Sequence, residues 1–206
     1  RHGIFRTIPL IKTNAEGKRF RLKIEPKEVT DESGNRYRVS KTIENNELKL
    51  KIGDPDKTIT GVHTYMIPYT VSGGLTYFSD HDELYWNVTG NEWEVGMQHV
   101  KATVNLPQNL SSSDIRLACY TGIAGSTASE CTSSYRDGKA TFGASLASGE
   151  NLTIVVGFPK NIVSVLEPVP VVSFWETIWG KLTLVALAII AIFWYLVLPF
   201  KVVIDW

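Results

Sequence analysis

The sequence predicts an all-β protein, a β-sandwich of immunoglobulin-like or related type, followed by one C-terminal transmembrane helix. Three observations carry this reading. Apolar and polar residues alternate with period two in short runs through residues 1–172, the pattern of strands with one wet face. Clusters of Gly, Pro, Asn and Asp separate those runs, as turns separate strands. Near the end, "LTLVALAIIAIFWYLVLPF" (182–200) runs without a charge.

The strands follow in chain order. "FRLKIE" places Phe20, Leu22 and Ile24 on one face, and "ELKLKIG" does the same with Leu48, Leu50 and Ile52. "HTYMIPYTV" alternates Tyr65, Ile67, Tyr69 and Val71; Pro68 inside it has no N–H for a ladder and predicts an edge or a bulge. "VKATVNLP" alternates Val100, Ala102, Val104 and Leu106. "NLTIVVGFP" (151–159) is nearly continuous in apolar residues, as a strand covered on both faces should be. Turns are expected at "DESGN" (31–35), "GDPDKTITG" (53–61), "SGG" (72–74) and "RDG" (136–138). Before residue 173 no stretch sustains helical periodicity over three turns.

The charge-free run spans roughly 28 Å as a helix, close to the roughly 30 Å hydrocarbon core of a bilayer. Lys181 and Lys201 bracket it, and Trp175, Trp179, Trp194 and Tyr195 lie near its ends, where amphipathic rings favour the interface. One Lys on each side does not orient it. The expected organisation is a β domain over 1–166, a proline-bearing linker over 167–180, a membrane helix over 181–201 and the start of a cytoplasmic part over 202–206. Arg1 begins in mid-motif and "VVIDW" does not read as a natural end, so the sequence is taken as a piece of a longer chain.

Lys+Arg and Asp+Glu both number 21, giving a formal net charge of zero. This excludes a dedicated nucleic-acid binder, which shows a basic stripe. The two cysteines, Cys119 and Cys131, bracket a loop rich in Gly, Ser, Thr and Ala that has no core of its own. Their spacing matches no zinc pattern. A disulfide between them is expected, and with it an oxidising location outside the cytoplasm.

The densest chemistry lies in "SDHDELYWNV" (79–88). As a strand it buries Leu84, Trp86 and Val88 on one face and projects His81, Glu83, Tyr85 and Asn87 from the other. Ser79 to Asp82 read as an acidic, Asx-type turn into the strand. His81, Glu83, Tyr85 and Asn87, with Trp93 just beyond, are the candidate binding residues, for a protein or glycan. The alternative is metal-assisted hydrolysis by His81 and Glu83 with Asp54; Asp56, His63 and His99 are further candidate ligands, but nothing in the sequence brings them together. Nucleophilic catalysis lacks a Gly-x-Ser-x-Gly elbow, and no phosphate-binding glycine loop follows a strand. No cofactor is expected. Sequons occur at Asn87, Asn109 and Asn151.

Several segments, in order, resemble one family: "RHGIFRTIPL" (1–10), "VTDESGN" (29–35), "KIGDPDKTITGVHTYMIPYTV" (51–71), "DHDELYWNVTGNEWEV" (80–95), "CYTGIAGSTASEC" (119–131) and "LTIVVGFPK" (152–160). The family is that of predicted bacterial membrane proteins named for domain of unknown function 2207, and the resemblance covers about 1–172. It implies an extracytoplasmic β-rich domain with strands preceding "RHGIFR", then a membrane helix and a cytoplasmic portion; "KVVIDW" departs from the pattern. It implies no catalytic residues. The resulting expectation is a non-enzymatic binding, sensing or assembly module of the cell envelope, with an envelope hydrolase and a structural spacer as alternatives.

Overall fold

The computed structural model describes residues 2–14, 17–91, 93–107 and 110–197 and is mostly β. It divides into two units, Arg1–Val169 and Pro170–Trp206.

The first unit begins with strands β1 (Ile4–Pro9), β2 (Ile11–Thr13), β3 (Arg19–Arg21), β4 (Lys23–Pro26), β5 (Val39–Glu44), β6 (Glu47–Ile52) and β7 (Tyr69–Ser72). β1, β6 and β5 form an antiparallel sheet in that order, with β1 at an edge. The alternation in β6 dictates its orientation. Leu48, Leu50 and Ile52 are buried with Val29, while Lys49 and Lys51 face outward between them. The β5–β6 hairpin turns on Asn45 and Asn46, with φ of 51° and 62°. That is the doubly left-handed turn that matches strand twist, and Asn tolerates it. The expected strand across 63–71 is shorter than its alternation. The ladder starts only at Tyr69, after Pro68, whose carbonyl accepts from the Lys27 N–H at 2.9 Å. Met66 makes only an isolated bridge to Thr30.

The unit continues with β8 (Leu75–Tyr77), β9 (His81–Asn87), β10 (Met97–Asn105), β11 (Arg116–Gly122), β12 (Cys131–Arg136), β13 (Lys139–Leu146) and β14 (Asn151–Pro159). These form two sheets, β11-β14-β9-β8 and β10-β13-β12. They share one core: Ala102 and Phe142 come from the second sheet, and Cys119, Ile154, Val156 and Phe158 from the first. β14 runs between β11 and β9 and is buried on both faces along most of its length, as its near-continuous apolar run predicts. Leu152, Ile154, Val156 and Phe158 each contribute roughly 1.5–3 kcal/mol by leaving water. Cys119 and Cys131 are bonded, with Cα atoms 6.3 Å apart. The bridge ties β11 of one sheet to β12 of the other.

In the second unit, helix α1 spans Ile178–Ile192. It starts earlier than the expected residue 181, because Thr177 caps it by accepting from the Gly180 N–H at 3.1 Å. The turn before it is tied by the Ser173 N–H donating to Glu176 at 2.8 Å. Gly180 is required there, since a Cβ would lie 2.1 Å from the Phe174 carbonyl oxygen. The apolar helical stretch Ile178–Tyr195 has mean hydropathy 1.9 and is 6% buried. By length and composition it can cross a membrane. The rest of the expected membrane segment and the cytoplasmic start, 198–206, lie outside the described residues.

Candidate functional site

β9 carries most of the sequence's candidate residues, and its start corrects one expectation. The strand begins at His81, after a turn in which the Phe78 N–H donates to the His81 carbonyl at 2.9 Å. Asp82 is therefore not part of an acidic turn. It pairs with Phe158 on one side and Tyr77 on the other, shares the core face of Leu84, and is 0% exposed. The alternation of the strand carries it inward, and a cation meets it there. Lys160 Nζ lies 2.5 Å from Asp82 Oδ1, donates to the Phe78 carbonyl at 3.0 Å and sits 5.6 Å from the Tyr77 ring centre. Asp82 Oδ2 has no partner among the described residues. Extending the alternation of Leu84, Trp86 and Val88 back by two residues would have placed Asp82 on the core face. No local signal points to Lys160, 78 residues away.

The outer face of β9 brings His81, Glu83 and Tyr85 together. His81 Nδ1 is 2.7 Å from Asp80 Oδ1, and its Nε2 is 3.9 Å from Glu83 Oε2. The imidazole stacks on Phe78 with ring centres 4.7 Å apart. Gly157, beside Glu83 in the ladder, leaves room for it: a Cβ there would lie 3.3 Å from His81 Cδ2 and from the Arg116 Cβ. Arg116 reaches the far oxygen of Asp80 at 3.3 Å. The hydrogen bond with His81, joined by its charge and by Arg116, holds the Asp80 carboxyl below its ordinary value. On the other side Lys12 donates to Thr76 Oγ1 at 2.6 Å and to the Gly74 carbonyl at 3.0 Å. Burial lowers the Lys12 pKa, opposed in part by the Glu83 charge. Tyr85 is 48% exposed on this face.

The remaining candidates go elsewhere. The Asn87 amide donates to Asn91 Oδ1 at 2.5 Å, and its oxygen accepts from the Gly90 N–H at 2.8 Å. It closes the loop after β9 rather than projecting from the sheet. Trp93 donates its indole N–H to the Thr89 carbonyl at 2.8 Å and lines a different cleft. Asp54 accepts from the Asp56 N–H at 3.0 Å and lies 3.7 Å from Lys57; His63 is 3.0 Å from the Thr60 carbonyl. Among the described residues no group of three or more His, Cys, Asp or Glu side chains is placed to hold a metal, so His81, Glu83 and Asp54 are not assembled into a site. Of the sequons, Asn151 is 7% exposed, with its amide on the Gly122 carbonyl at 2.7 Å, which closes it to modification in the folded chain. Asn109 lies outside the described residues.

What the β9 face offers chemically is charge of both signs, from Lys12, Glu83, Asp80 and Arg116, with the His81 imidazole among them and an exposed phenol beside them. Such a surface suits directional contact with a polar partner. A family model described as "Predicted membrane protein (DUF2207) N-terminal domain" matches residues 1–158. No curated protein and no solved structure matches the chain.

Proposed function

The chain belongs to the DUF2207 N-terminal domain family of predicted membrane proteins, and from that premise we propose that it is a membrane-anchored binding module of the bacterial envelope. The β unit is a sandwich that lies outside the cytoplasm, α1 crosses the bilayer, and the C-terminus is cytoplasmic. The observation that carries this reading is the pairing of two features. The Cys119–Cys131 bridge joins the two facing sheets, and such bonds persist in oxidising compartments. After the β unit, only 6% of the apolar stretch Ile178–Tyr195 is buried. The role is contact rather than catalysis, and the β9 face with His81, Glu83 and Tyr85 is the contact surface.

Protease treatment of spheroplasts tests the topology. Digestion of residues 1–169 from outside is expected, leaving a fragment protected from about residue 178; a β unit that survives until the membrane is opened refutes it. Photo-crosslinking from position 85 in whole cells tests the contact. A discrete adduct that Glu83→Lys abolishes supports binding. A correctly inserted chain that crosslinks to nothing there acts as a spacer instead.

A further inference from the structure

β12 forms one edge of the sheet β10-β13-β12 and pairs with β13 in a regular register from Cys131 to Arg136. Among the described residues the backbone of residues 132–136 makes no hydrogen bond beyond that ladder. Ser133 stands directly opposite Phe142, so the two share a face. Phe142 is buried while Ser133 is exposed. The strand therefore overhangs the core, and its rim is open.

An open edge is a template for another strand, and proteins ordinarily blunt it. β10, at the far edge of the same sheet, carries a register break between Met97 and Val100 and has Lys101 within it. β5, at the edge of its own sheet, carries Lys41 near its middle. β12 reads "CTSSYR" and between its ends holds no charge, no proline and no bulge. Its charges sit at the margins. Glu130 precedes the strand, Arg136 closes it, and both are exposed. The Glu130 N–H donates to Thr121 Oγ1 at 3.0 Å, which anchors that margin to β11 beside the Cys119–Cys131 bridge. Arg136 faces Lys139 across the hairpin, a like-charged pair that costs stability.

The sequence of the strand selects its partner. In an antiparallel ladder, residues directly opposite turn their backbone groups either both toward each other or both away. A strand pairing with a second copy of itself therefore places the two-fold axis through a residue, never between two. With the axis at Ser133, Thr132 meets Ser134 and Cys131 meets Tyr135, all neutral. The same axis sets Glu130 of each copy opposite Arg136 of the other, at both ends of the pairing. Moving the axis to Thr132 or to Ser134 leaves Arg136 opposite Ala128 or Thr132, and neither charge meets its opposite.

We propose that β12 pairs antiparallel with β12 of a second copy of this chain about Ser133, joining two β10-β13-β12 sheets into one continuous sheet. Main-chain bonds along the open rim hold the copies together. The two Glu130–Arg136 pairs fix the register and bring a carboxylate to each Arg136–Lys139 pair. This surface belongs to a different sheet from the β9 face and does not depend on the role of that face.

The test is sedimentation velocity on the full chain in neutral detergent micelles across a concentration series. A concentration-dependent dimer is expected. Arg136→Glu and Glu130→Arg each set like charges opposite one another at both ends of the pairing, and each should weaken it about tenfold or more. The double variant, Glu130→Arg with Arg136→Glu, exchanges the charges and should dimerise within about threefold of the parent. An equimolar mixture of the two single variants should likewise recover the dimer, because the mixed pair again sets opposite charges together. Lys101→Glu, a matching charge reversal on β10, should leave association unchanged. A chain that stays monomeric at every concentration overturns the proposal. So does a dimer indifferent to both single variants, which is held through α1 or another face, and so does a double variant no better than the singles.

Discussion

Replacing Lys160 by Met strands the Asp82 carboxylate in the core. Asp82 is 0% exposed, and its only ion-pair partner among the described residues is the Lys160 ammonium at 2.5 Å; Oδ2 is already without a partner. Removing one member of a buried pair costs roughly 3–5 kcal/mol, because the other is left charged and unpaired. Lys160 is itself 31% exposed, so water reaches the mouth of the site and the lower figure applies. The expected loss is about 3 kcal/mol, roughly a hundredfold in the folding equilibrium. The converse change, Asp82→Leu, leaves a lysine that can turn to solvent and should cost only about 1–2 kcal/mol. Leu branches at the same carbon as Asp, so the double variant presents an apolar pair in place of an ionic one. Such replacements are near neutral, and the double variant should fall within about 1 kcal/mol of the parent. The assay is urea unfolding of the full chain in micelles at neutral pH, followed by tryptophan fluorescence, with the coupling taken from the double-mutant cycle. A Lys160→Met chain as stable as the parent, or a double variant as unstable as the sum of the singles, refutes the description of Asp82 as a desolvated carboxylate dependent on one cation.

Other outcomes follow from individual contacts. Tyr65→Phe should stabilise the chain by up to about 1 kcal/mol, since the Tyr65 hydroxyl is buried without a partner among the described residues while its ring keeps the stack on Tyr37 at 4.6 Å; thermal unfolding reads the gain. Reducing the Cys119–Cys131 bridge, which closes a sequence separation of 12, should cost roughly 3 kcal/mol by loop-closure entropy, and urea midpoints with and without reductant measure it. The carboxyls of Asp31 and Asp80 are held below their ordinary value of 3.8, the first by the Asn35 side chain and backbone and the second mainly by His81. Below that value the unfolded chain takes up protons first, so their stabilisation is complete above it and is lost as pH falls through the folded values. Melting temperature should therefore drop on acidification below about pH 4, and less steeply in Asp31→Asn and Asp80→Asn; identical slopes would count against these hydrogen bonds.

The legible and illegible parts of the site divide by range. Period-two alternation placed Leu48, Leu50 and Ile52 inside and predicted the doubly covered β14, because side-chain direction in a strand depends on sequence parity alone. The same parity put His81, Glu83 and Tyr85 on one outer face, where they stand. It failed at Asp82, since a charged residue next to Asp80 and His81 looks like a turn until Lys160 is known to be near. It failed at Asn87, whose amide serves the loop that follows. Arg6 attracted no notice: an arginine among alternating residues looks solvated, and the two carbonyls it holds lie more than eighty residues away.

By itself the sequence determined the β class, the pairing of its two cysteines, the apolar C-terminal helix and the polarity of most strand faces. Those properties follow from residue spacing and from local preference. Only the tertiary structure decided that two sheets share the Phe142–Ile154 core while a third sheet keeps its own around Leu50, that Asp82 is buried against Lys160, and that Arg6 reaches the Val88 and Thr89 carbonyls. Each of those facts joins residues far apart in the chain. Which distant side chains meet depends on strand order and loop closure, and a period along the sequence carries no information about either.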